Sequence, residues 1–183
     1  MTRPNWFIAL PAEDPAWARA LVRSAPASLR TFAPEDLHLT VAFLGAVSEE
    51  RARAAWELAD AFSLAPLTVG LERVAPMGPA RRASALAALV AEGREGLIEA
   101  IRESRDLFHD RAEIERETRA PLPHLTLARI PRGASEEERD AALAWARSLE
   151  VASLSLHLER LALYSWAEDR ARRLFRIVEA RKL

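Results

Sequence analysis

Two tetrapeptides carry the side chains best suited to chemistry in this chain, His38-Leu39-Thr40-Val41 and His124-Leu125-Thr126-Leu127. An ordinary imidazole titrates near pH 6.5, so at neutral pH one histidine can be neutral and take a proton while the other is charged and gives one. In-line displacement at phosphorus needs both jobs, on opposite sides of the phosphate. Threonine hydroxyls can donate hydrogen bonds to the non-bridging oxygens, where charge concentrates in the transition state. The scheme calls for no metal and no other cofactor. A single His-x-Thr triplet is common by chance, but two at matching positions of an internal repeat point to half-sites brought face to face.

The repeat is visible when the chain is laid over itself. His38 reaches His124 at a shift of 86, and Ser48-Glu49-Glu50 reaches Ser135-Glu136-Glu137 at a shift of 87. At 87 the segment Leu67 to Ala75 also falls on Leu154 to Ala162, with Leu-Glu-Arg-x-Ala in both copies. A period this long is far above that of solenoid repeats, so two similar lobes sharing one core are expected.

The elements that must position the motifs follow from local pattern. Asn5 to Leu10 reads as a buried strand, and Asp14 before Pro15 as an N-cap opening a helix to about Ser24. Leu37 to Leu44 is the first motif strand, followed by a helix from Ser48 to about Phe62. Strands are expected over Leu67–Val74 and Ser84–Glu92, then a helix from Gly93 to about Phe108, a charged loop from Asp110 to Arg119, and the second motif strand from Pro123 to Ile130. Ser135 with Glu138 makes a capping box for a helix to about Ser148, and strands over Val151–Leu163 and Leu174–Ala180 complete the chain. The expected fold is α+β: a single domain over residues 1–183, made of two pseudo-symmetric lobes whose two mostly antiparallel sheets face a central cleft, with helices outside. Strand alternation then puts His38 with Thr40, and His124 with Thr126, about 7 Å apart on one face, while the residues between them enter the core.

Composition narrows the function classes. No cysteine is present, which removes disulfides, thiolate metal sites and cysteine nucleophiles. The net charge of −1 leaves no global footprint for long nucleic acid, so any such contact must be local. No apolar run is long enough to span a bilayer and no signal peptide is evident, so a cytoplasmic protein without a membrane partner is expected. A monomer is expected as well. Lys182 is the only lysine, Asn5 the only asparagine, and glutamine is absent; a hot environment and a GC-rich genome both give that bias.

These residues resemble the two-histidine (2H) phosphoesterases, defined by two His-x-Thr/Ser-x motifs in duplicated lobes. Within them the chain is most similar to the bacterial RNA 2′,3′-cyclic phosphodiesterases, also called 2′-5′ RNA ligases. The likeness runs through Phe7-Ile8-Ala9-Leu10-Pro11, Leu37 to Gly45, Pro123 to Arg129 and Leu163-Tyr164-Ser165, with Phe32 and Pro34 ahead of the first motif. Asp169-Arg170-Ala171-Arg172-Arg173 and Phe175 stand where the family usually has a glycine-containing turn and a tyrosine. The resemblance implies hydrolysis of a 2′,3′-cyclic phosphate at an RNA or oligonucleotide end to a 2′-phosphate, with weak reversible 2′-5′ ligation. It gives His38 the role of proton donor to the leaving 3′ oxygen, His124 that of proton acceptor from water, and Thr40 and Thr126 the phosphate oxygens. The sequence alone leaves the two histidine roles open.

Substrate contacts are expected from Arg129, Phe7 and Phe32. Strict alternation puts Arg129 opposite His124 and Thr126, so it reaches the phosphate only if the strand bulges or ends before it. Phe7 and Phe32 could stack a terminal base or pack in the core. His157, on the polar face of an alternating strand, and His109, at a helix end, read as surface residues. Arg81, Arg82, Arg170, Arg172 and Arg173 either flank the cleft mouth or lie in solvated turns. Two other readings stay open: a phosphodiesterase for a small cyclic-phosphate nucleotide, and a non-catalytic RNA- or nucleotide-binding module. A metal hydrolase fits less well, because neither histidine lies in a ligand pattern such as His-Glu-x-x-His.

Overall fold

A computed structural model of the chain describes residues 3–13 and 15–183. The expected N-cap at Asp14 therefore lies outside the described residues. Nine strands and four α-helices are present among those described. The strands form one hydrogen-bonded series, which corrects the expectation of two separate sheets. Its order is β7 (Ser155–Leu158), β4 (Leu67–Pro76), β5 (Ala85–Val90), β6 (His124–Arg129), β3 (His38–Gly45), β1 (Trp6–Pro11), β8 (Arg160–Trp166) and β9 (Phe175–Lys182). A two-residue strand, β2 (Arg30–Thr31), pairs with the end of β6. The sheet is antiparallel throughout and curls strongly into a half-barrel.

The halves meet at the two motif strands, where a single pair, Leu39 with Leu125, joins β3 to β6. Glu13, just past β1, bridges to His157 on β7, a further backbone contact between the two halves of the series. On the convex side α2 (Glu49–Trp56) lies over β1, α3 (Arg94–Arg111) over β3 and α4 (Glu136–Ser148) over β4. Ile8, Leu10, Leu39, Val41, Leu86, Leu125 and Leu127 pack there with Leu97, Ile101, Phe108 and Trp145 in one core cluster that spans both halves.

Helix starts follow the sequence signals. The Ser48 hydroxyl accepts from the Arg51 N–H, and Ser135 with Glu138 forms the full capping box. The second expected helix is shorter than its apolar pattern suggested: it ends at Trp56 and gives way to a 3-10 turn over Ala59–Ala61. The expected single strand Val151–Leu163 is broken at Glu159, so that β7 turns to pair with β4 while β8 pairs with β1. Gly93 precedes α3 at φ 79°, where an added Cβ would lie 3.0 Å from Val69 Cγ1, while Gly96 inside the helix has open space around it.

Gly93→Ala should therefore destabilise the fold by about 1–3 kcal/mol, and Gly96→Ala should stabilise it by about 0.5–1 kcal/mol. Urea unfolding of both variants checks the pair. A Gly93→Ala midpoint equal to or above that of the parent chain would contradict the helix start described here.

Candidate active site

Alternation along the motif strands delivers the expected faces. Leu39, Val41, Leu125 and Leu127 are buried, while His38, Thr40, His124 and Thr126 are partly open on the concave side. In an antiparallel pair the Leu39–Leu125 register sets His38 across from Thr126 and Thr40 across from His124. The four side chains make a quadrilateral with the imidazoles on one diagonal and the hydroxyls on the other. From strand spacing and rise the diagonal is about 8 Å at the backbone. The centre is thus flanked by an imidazole at two opposite corners and a hydroxyl at the other two. Beside the threonines the neighbouring strands carry alanine, Ala9 opposite Thr40 and Ala87 opposite Thr126, which adds little bulk over the centre.

The two rings are oriented alike. His38 Nδ1 lies 2.7 Å from the carbonyl oxygen of Asp36, and His124 Nδ1 lies 2.7 Å from that of Leu122. A carbonyl only accepts, so Nδ1 carries the hydrogen and Nε2 is left to the cleft in both rings. A neutral ring then presents a lone pair to the substrate and a charged ring presents a proton. Their surroundings differ. His38 stacks on Phe7 at 4.7 Å between centroids, Phe7 stacks on Tyr164 at 4.9 Å, and Phe175 meets His38 edge-on at 5.4 Å. Desolvation by this aromatic wall, opposed by the Asp36 carbonyl and reinforced by the charges of His124 and Arg129, lowers the His38 pKa to about 4.

Both strands bulge immediately after the threonine. Ala9 pairs with Thr40 but Ile8 with Ala42, so Val41 is the extra residue; Ala87 pairs with Thr126 but Leu86 with Ala128, so Leu127 is. Each bulge shifts the phase of the strand by one. Arg129 thereby returns to the face of His124 and Thr126, meeting the condition that strict alternation denied it. Phe43, 86 positions earlier, occupies the equivalent place on β3, opposite Phe7, with 56% of its surface exposed. Sequence reasoning missed Phe43. The signal was present, because the same shift that relates the histidines relates Phe43 to Arg129. Antiparallel packing sends the two side chains to opposite ends of the cleft, one end aromatic and the other cationic.

Other expected residues fall elsewhere. Phe7 and Phe32 are each only 3% exposed, Phe7 against His38 and Phe32 near Phe175 at 6.0 Å, so neither offers a face to a base. His157 lies on β7 at the far edge of the sheet beside Thr68 and Glu159, exposed as expected. His109 is in the last turn of α3 but is buried rather than on the surface, because the loop after the helix folds back and the Glu117 N–H donates to its Nδ1 at 3.2 Å. Among the turn arginines, Arg81 and Arg82 are exposed, Arg170 lies over the Trp166 ring at 4.1 Å, and Arg173 donates to the Glu35 carbonyl at 3.1 Å.

The half-barrel with paired His-x-Thr strands at its centre is the architecture of a two-histidine phosphoesterase. Residues 11–170 match the sequence profile of the 2′-5′ RNA ligase superfamily, and the chain belongs to that family. No curated protein matches the chain at significance. Among solved structures, E. coli LigT complexed with 3′-AMP superimposes with a TM-score of 0.73 at 23% identity, covering 99% of each chain. Thermus thermophilus TT0787 gives 0.70 at 20% identity, covering 98% of this chain and 97% of that one. A protein described as a phosphoesterase gives 0.72 at 23%, covering 99% of this chain and 98% of the other. Among the described residues no helix is long and apolar enough to cross a membrane.

The depressed pKa of His38 makes a stability prediction. Between pH 6.5 and 4 the unfolded chain binds a proton at this ring that the folded chain refuses, so folding stability falls as pH falls through that window. His38→Gln should flatten this part of the curve. Melting temperatures of parent and variant across pH 4–7 check it, and parallel curves would show that His38 is not held neutral.

Proposed function

We propose that this protein hydrolyses the 2′,3′-cyclic phosphate at RNA ends to a 2′-phosphate, with weak, reversible 2′-5′ ligation when a 5′-hydroxyl attacks the cyclic phosphate in place of water. What supports the reading is the Leu39–Leu125 pair, whose antiparallel register sets His38 diagonal to His124 and Thr40 diagonal to Thr126 on one face. His124 takes a proton from water as the oxygen–phosphorus bond forms, and His38 gives a proton to the 3′ oxygen as the P–O3′ bond breaks. Thr40 and Thr126 donate to the non-bridging oxygens. Arg129 adds a charged contact to the phosphate, and Phe43 offers its face to the terminal base.

His38 must be charged to act as donor, yet it is neutral in the free protein near neutral pH. The phosphodiester resolves this. Burial is the main cause of the depressed His38 pKa, and the negative charge of a phosphodiester set beside the ring favours its charged form. Substrate binding therefore loads the acid. No step is routed through a metal.

A second reading keeps the site and shortens the substrate to a cyclic-phosphate nucleotide. It is favoured by the near-neutral charge of the chain and by the small nucleotide ligands of E. coli LigT, which has been crystallised with 3′-AMP, ATP and NADP+. Turnover of a cyclic-phosphate mononucleotide and of an oligomer bearing the same terminus separates the two.

Product analysis on an oligonucleotide ending in a 2′,3′-cyclic phosphate, with chelator present, should give a 2′-phosphate and a bell-shaped rate against pH. A 3′-phosphate product, loss of rate on chelation, or a rate that climbs without limit into alkali would overturn the proposal. Thr40→Ala and Thr126→Ala should each slow turnover by about 10–100-fold, as loss of a donor to a charged oxygen costs about 1.5–3 kcal/mol. Phe43→Ala and Arg129→Ala should act mainly on KM, and His157→Ala should be silent.

A further inference from the structure

Asp36 is the only carboxylate in the buried set among the described residues, at 1% exposure. A buried carboxylate is costly unless its oxygens are satisfied. Here the Leu174 N–H donates to one oxygen at 2.9 Å and the Phe175 N–H to the other at 3.1 Å, with the Arg173 guanidinium 3.9 Å away. Arg173 also donates to the neighbouring Glu35 carbonyl at 3.1 Å. Three consecutive residues entering β9 thus clasp two consecutive residues of the 3-10 turn Pro34–Asp36. One such turn is too short to hold its own geometry.

The carbonyl of this same Asp36 accepts from His38 Nδ1. Side chain and main chain of one residue therefore link the sheet edge to the imidazole. Phe175, at the end of the clasp, is also the ring that meets His38 edge-on. The other motif has no such device. Leu122 supplies the carbonyl to His124, but its own side chain is 42% exposed. The pseudo-symmetric site is braced on one side only.

We propose that Asp36 is a positioning residue for His38, its buried carboxylate fixing the turn whose carbonyl holds the imidazole with Nε2 in the cleft. The consequence for rate rests on the cyclic-phosphate reading above; the consequence for the ring does not. Without the clasp the turn is free to move, the Nδ1 bond is lost part of the time, and the ring samples both tautomers and other rotamers. Binding groups elsewhere in the cleft are untouched, so kcat suffers and KM does not.

The test uses the full chain with imidazole nitrogens labelled, comparing parent, Asp36→Ala, Asp36→Asn and Gly93→Ala. Gly93 packs against β4 in the other half of the sheet and serves as a destabilised control. The parent should show His38 as the Nδ1–H tautomer. Asp36→Ala should show a tautomer mixture and a kcat lower by about 10-fold or more, with KM within about threefold. Asp36→Asn keeps one acceptor oxygen and should fall between, and it decides the matter if Asp36→Ala does not fold. Gly93→Ala should keep the parental His38 signals and kcat. Folded Asp36 variants with the parental tautomer would overturn the proposal, as would a Gly93→Ala chain that loses the tautomer as badly. If the parent cleaves nothing, the functional reading fails while the tautomer comparison still decides the role of Asp36.

Discussion

The two motif strands pair at one point, Leu39 with Leu125, and that register decides which of their side chains share one face of the cleft. A slip of one residue in either strand would turn its histidine and threonine into the core and its leucine into the cleft. The leucines prevent it. They are 1% and 0% exposed, packed beneath the helices, so moving either would strip a large apolar side chain from the core at a cost of about 1.5–3 kcal/mol. The apolar residues between the histidines and threonines are thus what holds the candidate site in register.

From that pair outward the site is symmetric in its centre and asymmetric at its margins. Equivalent bulges at Val41 and Leu127 turn Phe43 and Arg129 toward the cleft, and these residues differ in kind, so the cleft has an aromatic end and a cationic end. The histidines differ in the same way. His38 stands against a wall of Phe7, Tyr164 and Phe175 and is held near pKa 4, with its carbonyl partner braced by a buried carboxylate. His124 takes its carbonyl from a loop residue with an exposed side chain. The sequence repeat places two imidazoles on one face, and the differences around them are what the proposed function uses to give them separate acid and base work.

Much of this was legible in the residues. The motif strands, their polar faces and the capping box at Ser135 follow from period-two alternation and local hydrogen bonding, which act over a few residues. The roles expected of Phe7 and Phe32 did not survive, because in sequence an aromatic side chain near a histidine reads the same whether it faces ligand or packs behind the ring. Arg129 and Phe43 depended on bulges, and an inserted residue leaves no mark in composition. One continuous sheet rather than two depended on a single backbone pair between the motif strands. The Asp36 clasp joins residues 138 and 139 apart in sequence, and no local pattern announces such a contact.

The most direct measurement compares single-turnover cleavage of one cyclic-phosphate oligonucleotide by the parent, His38→Ala, His124→Ala and the double variant. If both imidazoles serve one displacement at one phosphate, each single change should cost about 10²–10⁴-fold. The double variant should then fall little below the slower single one, since residues acting as a unit are not additive. Losses that multiply, or a single variant that cleaves at close to the parental rate, would contradict a shared site.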